Sequence, residues 1–430
     1  MNILHINAAA DSGGAGVAMA RLNRALEAQG HESRILARLR RSPQPDVLTI
    51  PEALGVRQTL MNRFANNVRM QLDAWFALPQ VYGSTKRILH SELFEHADIV
   101  QLHNLHGLYF NYEVLPQISV HKPVIWTLHD MWAFTGHCAY SYGCVRWQDR
   151  CFDCPLLNGD GRRLVEPRPT LLDRTSQQWQ KKQDLYQSSK LHIVTPSVWM
   201  ADQVRKSILG DALSIQCIPN GVDLAVFGPR EQASARQALG IRERAKVILF
   251  VAAKVIQGRK GLAYLYEALH SMQSTEEIVL LTVGSAGPSH QQLQQFEQIH
   301  LGQIADESRL NLVYSAADVY VLPTLADNQP LTVLESLASG TPVVAFDVGG
   351  IPEMIAHLHT GYLARYKDPS DLAAGIRKLL NNDALRERMR QSCRAAAVAR
   401  YDLEHQANRY VELYEHAIRT HQQHTTGGNR

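Results

Sequence analysis

Residues 323–351 read PTLADNQPLTVLESLASGTPVVAFDVGGI, and their punctuation sets an order of elements. Pro330 suits the first turn of a helix, where its missing N–H costs nothing. Gly340 suits that helix's end, and Pro342 stops it from running on into the apolar run 343–346. The stretch therefore predicts strand 319–322, loop, helix 331–339, strand 342–346. In open α/β sheets ligands bind outside the carboxyl ends of such strands, which puts the loop 324–329 at a binding edge.

Working outward, short β-branched runs alternate with helical stretches, as in parallel sheets covered on both faces. Strands are expected at 2–6, 33–37, 99–102, 124–128 and 192–196, then at 247–251, 278–284 and near 299–302. Helices are expected at 16–29, where Val17, Ala20, Leu22, Ala25 and Leu26 recur at helical spacing, and at 261–271. The same grammar thus occurs twice. The Pro- and Gly-containing segment 217–230 between the halves reads as a hinge. The expected division is a first domain over 1–215, a second over 216–400, a helix at 401–420 and a disordered polar tail at 421–430.

The chain has 430 residues and a formal net charge of +3, with 45% hydrophobic and 20% charged residues. That length fits two domains, and the near-neutral charge argues against nucleic acid as a partner. No apolar run reaches the length of a spanning helix. Residues 1–7 read as a strand and not as a leader, so a cytoplasmic protein is expected.

Two places offer anion-binding chemistry. Ser12-Gly13-Gly14-Ala15-Gly16 follows a strand and opens a helix, so its backbone N–H groups could face a ligand. The third glycine of the dinucleotide fingerprint is missing, which disfavours a nicotinamide enzyme; a plain tight turn is the alternative. In the second half, Asp327 in the loop and Glu335 on the helix could accept hydrogen bonds from sugar hydroxyls while the helix start faces a phosphate. The alternative is an acid favouring the helix dipole and a solvated glutamate.

The combined pattern resembles glycosyltransferase family 4. Asp327 and Glu335 have the separation of that family's two acidic residues, and Gly340-Thr341-Pro342-Val343-Val344-Ala345 and Gly349-Gly350-Ile351-Pro352-Glu353 follow them as its motifs do. Ile218-Pro219-Asn220-Gly221-Val222-Asp223 with Phe227, Leu301-Gly302, Gly13-Gly14 and Gly30-His31-Glu32 extend the likeness over most of residues 1–415. The resemblance implies the GT-B fold, two Rossmann-like domains facing across a cleft, with the last helix packing back toward the first domain. It implies a retaining transferase that takes a sugar from a UDP- or GDP-activated donor to a saccharide or lipid-linked acceptor, without a catalytic metal.

Carried over by position, Glu335 would bind the donor ribose, and Asp327 the transferred sugar with backbone groups of Asn328, Gln329, Pro330 and Leu331. Lys260 would hold the diphosphate and His129 would touch the sugar near the reacting carbon. Gly13 and Gly14 would complete the donor site. Three departures stand out. Asp327 replaces the usual Glu, and the usual Gly-Phe-Gly-Leu is Asn328-Gln329-Pro330-Leu331. The family arginine falls on Val255, leaving Arg259 or Lys254 to supply the second positive charge, with Arg259 preferred.

Two further features lie outside the resemblance. Cys138, Cys144, Cys151 and Cys154 follow a C-x5-C-x6-C-x2-C spacing beside His137, which suits a structural zinc of four thiolates; free buried thiols or regulatory disulfides are the alternatives. Residues 53–91 carry Arg57, Arg63, Arg69, Lys86 and Arg87 against the single acid Asp73, with Met61, Phe64, Ala65, Val68, Leu72, Trp75 and Phe76 at helical spacing. This is either a helix pair packed on the first domain or a basic amphipathic surface for anionic lipid. An epimerase on the same fold, and a nucleic-acid module around the cysteines, are the competing functions.

Overall fold

A computed structural model describes residues 1–40, 46–50, 68, 83–106, 109–157, 171–254, 258–272, 277–285 and 296–427. They form two compact units, one of Met1–Pro219 with Glu404–Arg430 and one of Asn220–Leu403.

The first unit holds a seven-stranded sheet in the order β3-β2-β1-β4-β5-β6-β7, parallel throughout. Its strands are β1 (Asn2–Ala9), β2 (Glu32–Leu39), β3 (Val47–Thr49), β4 (Ile99–Leu102), β5 (Val124–Thr127), β6 (Leu191–Thr195) and β7 (Ser214–Cys217). The second unit holds six parallel strands in the order β10-β9-β8-β11-β12-β13. These are β8 (Lys246–Lys254), β9 (Ile278–Ser285), β10 (Glu297–His300), β11 (Val319–Leu322), β12 (Val343–Phe346) and β13 (Gly361–Ala364). Both contain the doubly wound order 3-2-1-4-5-6, whose direction reverses beside the first strand: at β1/β4 in one unit and β8/β11 in the other.

The central strands explain why the sequence was readable. Every residue of β4, β5, β6, β11 and β12 is buried, as parallel strands covered on both faces must be. The strands not anticipated from the sequence are β3, β7 and β13. Each lies at a sheet edge, where a short, half-covered run such as Ser-Ile-Gln-Cys leaves no apolar signature. β10, the remaining edge, sits two residues earlier than expected.

The helix after β1 spans Gly13–Ala28, beginning three residues before its expected start. The final helix runs Leu403–Gly427, correcting the expected disordered tail from residue 421: no proline or glycine interrupts the chain before Gly427, so the helix propagates. Ala407, Tyr410, Leu413, Tyr414 and Ala417 form its apolar stripe. They pack with Ile3, Leu22, Leu26, Ile99, Ile125 and Val194 in the first unit's core. Tyr410 Oη lies 2.8 Å from Thr127 Oγ1. Within the second unit the chain's entry and exit are paired: Val222 N–H donates to the Tyr401 carbonyl (2.8 Å) and Leu403 N–H to that of Val222 (3.2 Å).

No described helix is long and apolar enough to cross a membrane. Most of the 53–91 segment lies outside the described residues; of its proposed apolar face Val68 is described, and it is exposed.

Candidate active site

In the second unit the loops after β8 and β11 meet at the point where strand order reverses. Backbone pairing builds the meeting place: Leu325 N–H donates to the Arg259 carbonyl at 2.8 Å, and Thr324 Oγ1 bonds the same carbonyl at 3.2 Å. Gly261 has a left-handed φ of 73°, and any Cβ there would collide with the Pro323 carbonyl oxygen, so only glycine lets the two loops approach.

This geometry brings three charged side chains together. Lys260 Nζ donates to Asp327 Oδ2 at 2.7 Å, and Arg259 donates to the same oxygen at 3.2 Å and to the Ala326 carbonyl at 2.9 Å. Thr324 Oγ1 reaches that carboxylate oxygen at 3.3 Å. Burial alone would raise the Asp327 carboxyl; Lys260 foremost, then Arg259, outweigh it and hold the group below the usual carboxylate range. Asp327 is 7% exposed and Arg259 8%, so each charge depends on the others to remain inside the protein. Arg259 is thus a second cation bonded to Asp327, beside Lys260.

Gly349 fixes the acid loop from behind. Its φ is 61°, and a Cβ would collide with the Asp327 carbonyl oxygen; Gly350 N–H donates to that oxygen at 3.2 Å. Pro330 takes the N-cap position, one residue before the first turn it was expected to occupy, and gives the helix Leu331–Ala338 no side-chain cap. The helix start thus keeps N–H groups suited to an anion. The Gln329 side chain accepts from Asn220 N–H at 2.6 Å, and Asn328 is buried. Glu335 is buried rather than solvated, and Tyr314 Oη donates to its Oε2 at 3.0 Å. Tyr314 and Thr324 carried no signal in the sequence.

In the first unit Gly13 and Gly14 lie exposed at the start of a 16-residue helix with no atom near enough to meet an added Cβ. His129 follows β5. Its Nε2 lies 3.0 Å from His103 Nδ1, and His103 Nε2 lies 3.1 Å from His5 Nδ1. Burial pushes the His129 imidazole down to about 4, partly opposed by Asp130, so it is neutral at pH 7. Asp130 accepts from His106 Nε2 at 2.8 Å and from Trp132 N–H at 2.9 Å. His5 and His103 were not singled out from the sequence; a histidine inside an apolar strand is the only trace they leave there.

The four cysteines gather in one region, where each acts electrostatically on the others. None of the four is in a disulfide, and among the described residues no group of three or more His, Cys, Asp or Glu side chains is placed to hold a metal ion. Cys138 packs with Leu156 and Leu157, and Cys151 accepts from Gly136 N–H at 3.2 Å. Burial holds both protonated, raising Cys151 to about 11 and Cys138 further. A buried lysine orders the preceding loop: Lys182 Nζ donates to the Trp132 and Thr135 carbonyls and sits 3.6 Å over the Trp132 ring.

Comparison with known proteins agrees with this architecture. Residues 12–226 match the model of Glycosyltransferase Family 4, and residues 231–396 match that of Glycosyl transferases group 1. A D-inositol 3-phosphate glycosyltransferase of Mycobacterium marinum is 28% identical over 95% of this chain and 82% of its own length. A putative colanic acid biosynthesis glycosyl transferase of Escherichia coli, WcaC, is 26% identical over 80% of this chain and 83% of its own. The crystal structure of HepE from Anabaena in complex with UDP superposes with a TM-score of 0.63 at 15% identity, covering 96% of this chain and all of that one. With two doubly wound sheets of this kind and both family models matched in order, the chain belongs to glycosyltransferase family 4 and is a glycosyltransferase.

Proposed function

We propose that this chain moves a hexose from a UDP- or GDP-sugar to a saccharide or lipid-linked saccharide acceptor, with retention at the anomeric carbon, in surface polysaccharide or glycolipid synthesis. The observation that carries the reading is the Lys260–Arg259–Asp327 cluster at the switch point of the second sheet, beside an uncapped helix start. The names of the relatives and the UDP of the Anabaena complex support the substrate classes.

In this reading Lys260 and Arg259 are the donor's counter-charges. They stabilise the nucleoside diphosphate as it departs, together with the helix start at Leu331, and so replace the positive charge a catalytic metal would bring. Glu335, oriented by Tyr314, accepts from the ribose. Asp327 addresses the transferred sugar. Its Oδ2 is already engaged by two cations and a hydroxyl, which supports same-face attack, with the leaving phosphate taking the acceptor's proton, over a covalent aspartyl intermediate. His129 keeps the contact with the sugar that the family resemblance gives it. Contact with an anionic membrane face rests on the sequence of residues 53–91 alone, and absence of co-sedimentation with anionic vesicles at low salt would remove it.

The test is a screen of UDP-, GDP-, ADP- and CMP-sugars for slow nucleotide release. Release from one donor, insensitive to EDTA and lost in Lys260→Ala and Glu335→Ala, supports the reading. Release of an isomerised sugar nucleotide would favour an epimerase, and no response to any donor would overturn it.

A further inference from the structure

His5, His103 and His129 sit on three adjacent strands or just beyond their ends, at the switch point of the first sheet. Their rings run in one line. Neighbouring planes differ by 24° and 18°, with centroids 5.4 and 5.3 Å apart. Together with nitrogen separations of 3.1 and 3.0 Å, those spacings are what imidazoles joined end to end by linear N–H···N bonds require. The middle ring is clamped by its backbone: His103 N–H donates to the Ile6 carbonyl at 3.0 Å, and Trp126 Nε1 donates to the His103 carbonyl at 2.7 Å. His5 is 0% exposed and His103 2%.

We propose that His103 and His5 are positioning residues that fix the ring plane and tautomer of His129, leaving its proton on Nδ1. The direction follows from the closed end of the line. His5 Nε2 is buried without a partner, and orphaned N–H groups are the rarest of buried polar groups, so that nitrogen is the bare one. His5 Nδ1–H then donates to His103 Nε2, and His103 Nδ1–H donates to His129 Nε2. His129 Nε2 is thereby spent as an acceptor, and its one proton lies on Nδ1.

Burial keeps all three rings neutral, lowering His5 to about 3 and His103 well below the usual histidine value. The other charged or titratable groups acting on the line are Asp130, which favours protonation of His129, and His106, which opposes it. A protonated ring would break the sequence of one donor and one acceptor at each junction. The inference rests on the proposed contact of His129 with the sugar for its functional meaning, but its structural content stands alone.

The experiment uses the full chain with histidine side chains labelled in ¹⁵N. At pH 7, long-range nitrogen–proton spectra are expected to show His129 in one neutral form, protonated on Nδ1. In His103→Phe that signature should give way to a tautomer mixture, with kcat about tenfold lower, as for loss of one hydrogen bond, and donor KM unchanged. His103→Gln, whose amide can accept from His5 and donate to His129, should restore the single form and most of kcat. A His129 signal protonated on Nε2, or a His103→Phe chain with wild-type tautomer and kcat, would overturn the proposal. If His103→Phe does not fold, failure of His103→Gln to keep the Nδ1–H form does the same. A chain with the predicted tautomer but no activity on any donor would leave the line standing and defeat only the transferase reading.

Discussion

The two sheets share a strand order and treat their switch points in opposite ways. In the second unit β11 and β12 are Val-Tyr-Val-Leu and Val-Val-Ala-Phe, and the ionic groups begin only in the loops beyond the strand ends. In the first, polarity is threaded into the strands: His5 in β1, Gln101 in β4 and Thr127 in β5 are all buried. One switch point is held by opposite charges and the other by neutral hydrogen bonds. A site that must receive a diphosphate needs fixed positive charge, whereas a site that presents one imidazole needs a single tautomer. The same topology serves both because the fold decides where loops converge, not what they carry.

The comparison breaks most sharply at Lys260. Lys260→Ala removes a preorganised cation that Arg259, already bonded to the Ala326 carbonyl, cannot replace. Single donors of this kind are worth about 2.7–4 kcal/mol in the barrier. We expect kcat for nucleotide release to fall on the order of 10²- to 10³-fold, with the melting temperature lowered as well because buried Asp327 loses its foremost counter-charge. A variant retaining most of its kcat would mean that the charged switch point is structural.

Gly349→Ala comes next and tests how the acid loop is held. The added methyl would collide with the Asp327 carbonyl while forcing a left-handed backbone on alanine. Together these should cost about 1–3 kcal/mol of stability, read as a lowered denaturation midpoint at constant m-value. Among the described glycines of the first unit, none meets an atom of the three histidines in this way. An unchanged midpoint would show that the loop relaxes without the contact.

Which parts were legible in the sequence follows the same divide. The acidic pair and the helix they frame could be read because loop chemistry is written locally: proline, glycine and charge at fixed intervals between apolar runs; Lys260 came only through the family resemblance. The central strands could be read because burial on both faces leaves unbroken hydrophobic stretches. The edge strands β3, β7 and β13 could not, being half covered. Nor could His5 and His103, which lie nearly a hundred positions apart in the chain and meet only through the pairing of β1 with β4. The cysteines are the converse case: their spacing correctly suggested a cluster, and the fold does bring the four together.

A smaller effect is expected at Glu335. Glu335→Gln keeps an acceptor for Tyr314 Oη, so folding should be unaffected, but it weakens a charge-assisted contact to the proposed ribose. Such bonds are roughly twice as strong as neutral ones, which puts the expected rise in donor KM at about tenfold, with kcat nearly constant. A fall in kcat instead would move Glu335 from ribose binding into the chemical step.

Acid should separate the two switch points more gently. His5 and His129 are neutral in the fold with values of about 3 and 4 against an ordinary 6.5. Between those limits the unfolded chain binds more protons, so stability is fully present above pH 6.5 and is lost as pH falls toward 4. Asp327 has the same sign in a lower window: held below 3.8 by Lys260 and Arg259, its contribution is lost only as pH falls beneath that value. The first unit should therefore lose stability first, on the order of 1 kcal/mol per pH unit. All six tryptophans fall within residues 1–219, so tryptophan emission follows that unit alone, while amide exchange in β8, β11 and β12 follows the other. Emission shifting between pH 6.5 and 4 while those strands stay protected is the expected result. Simultaneous loss would mean that the neutral line and the ion pair belong to one cooperative unit, and that their opposed electrostatics do not govern how each region opens.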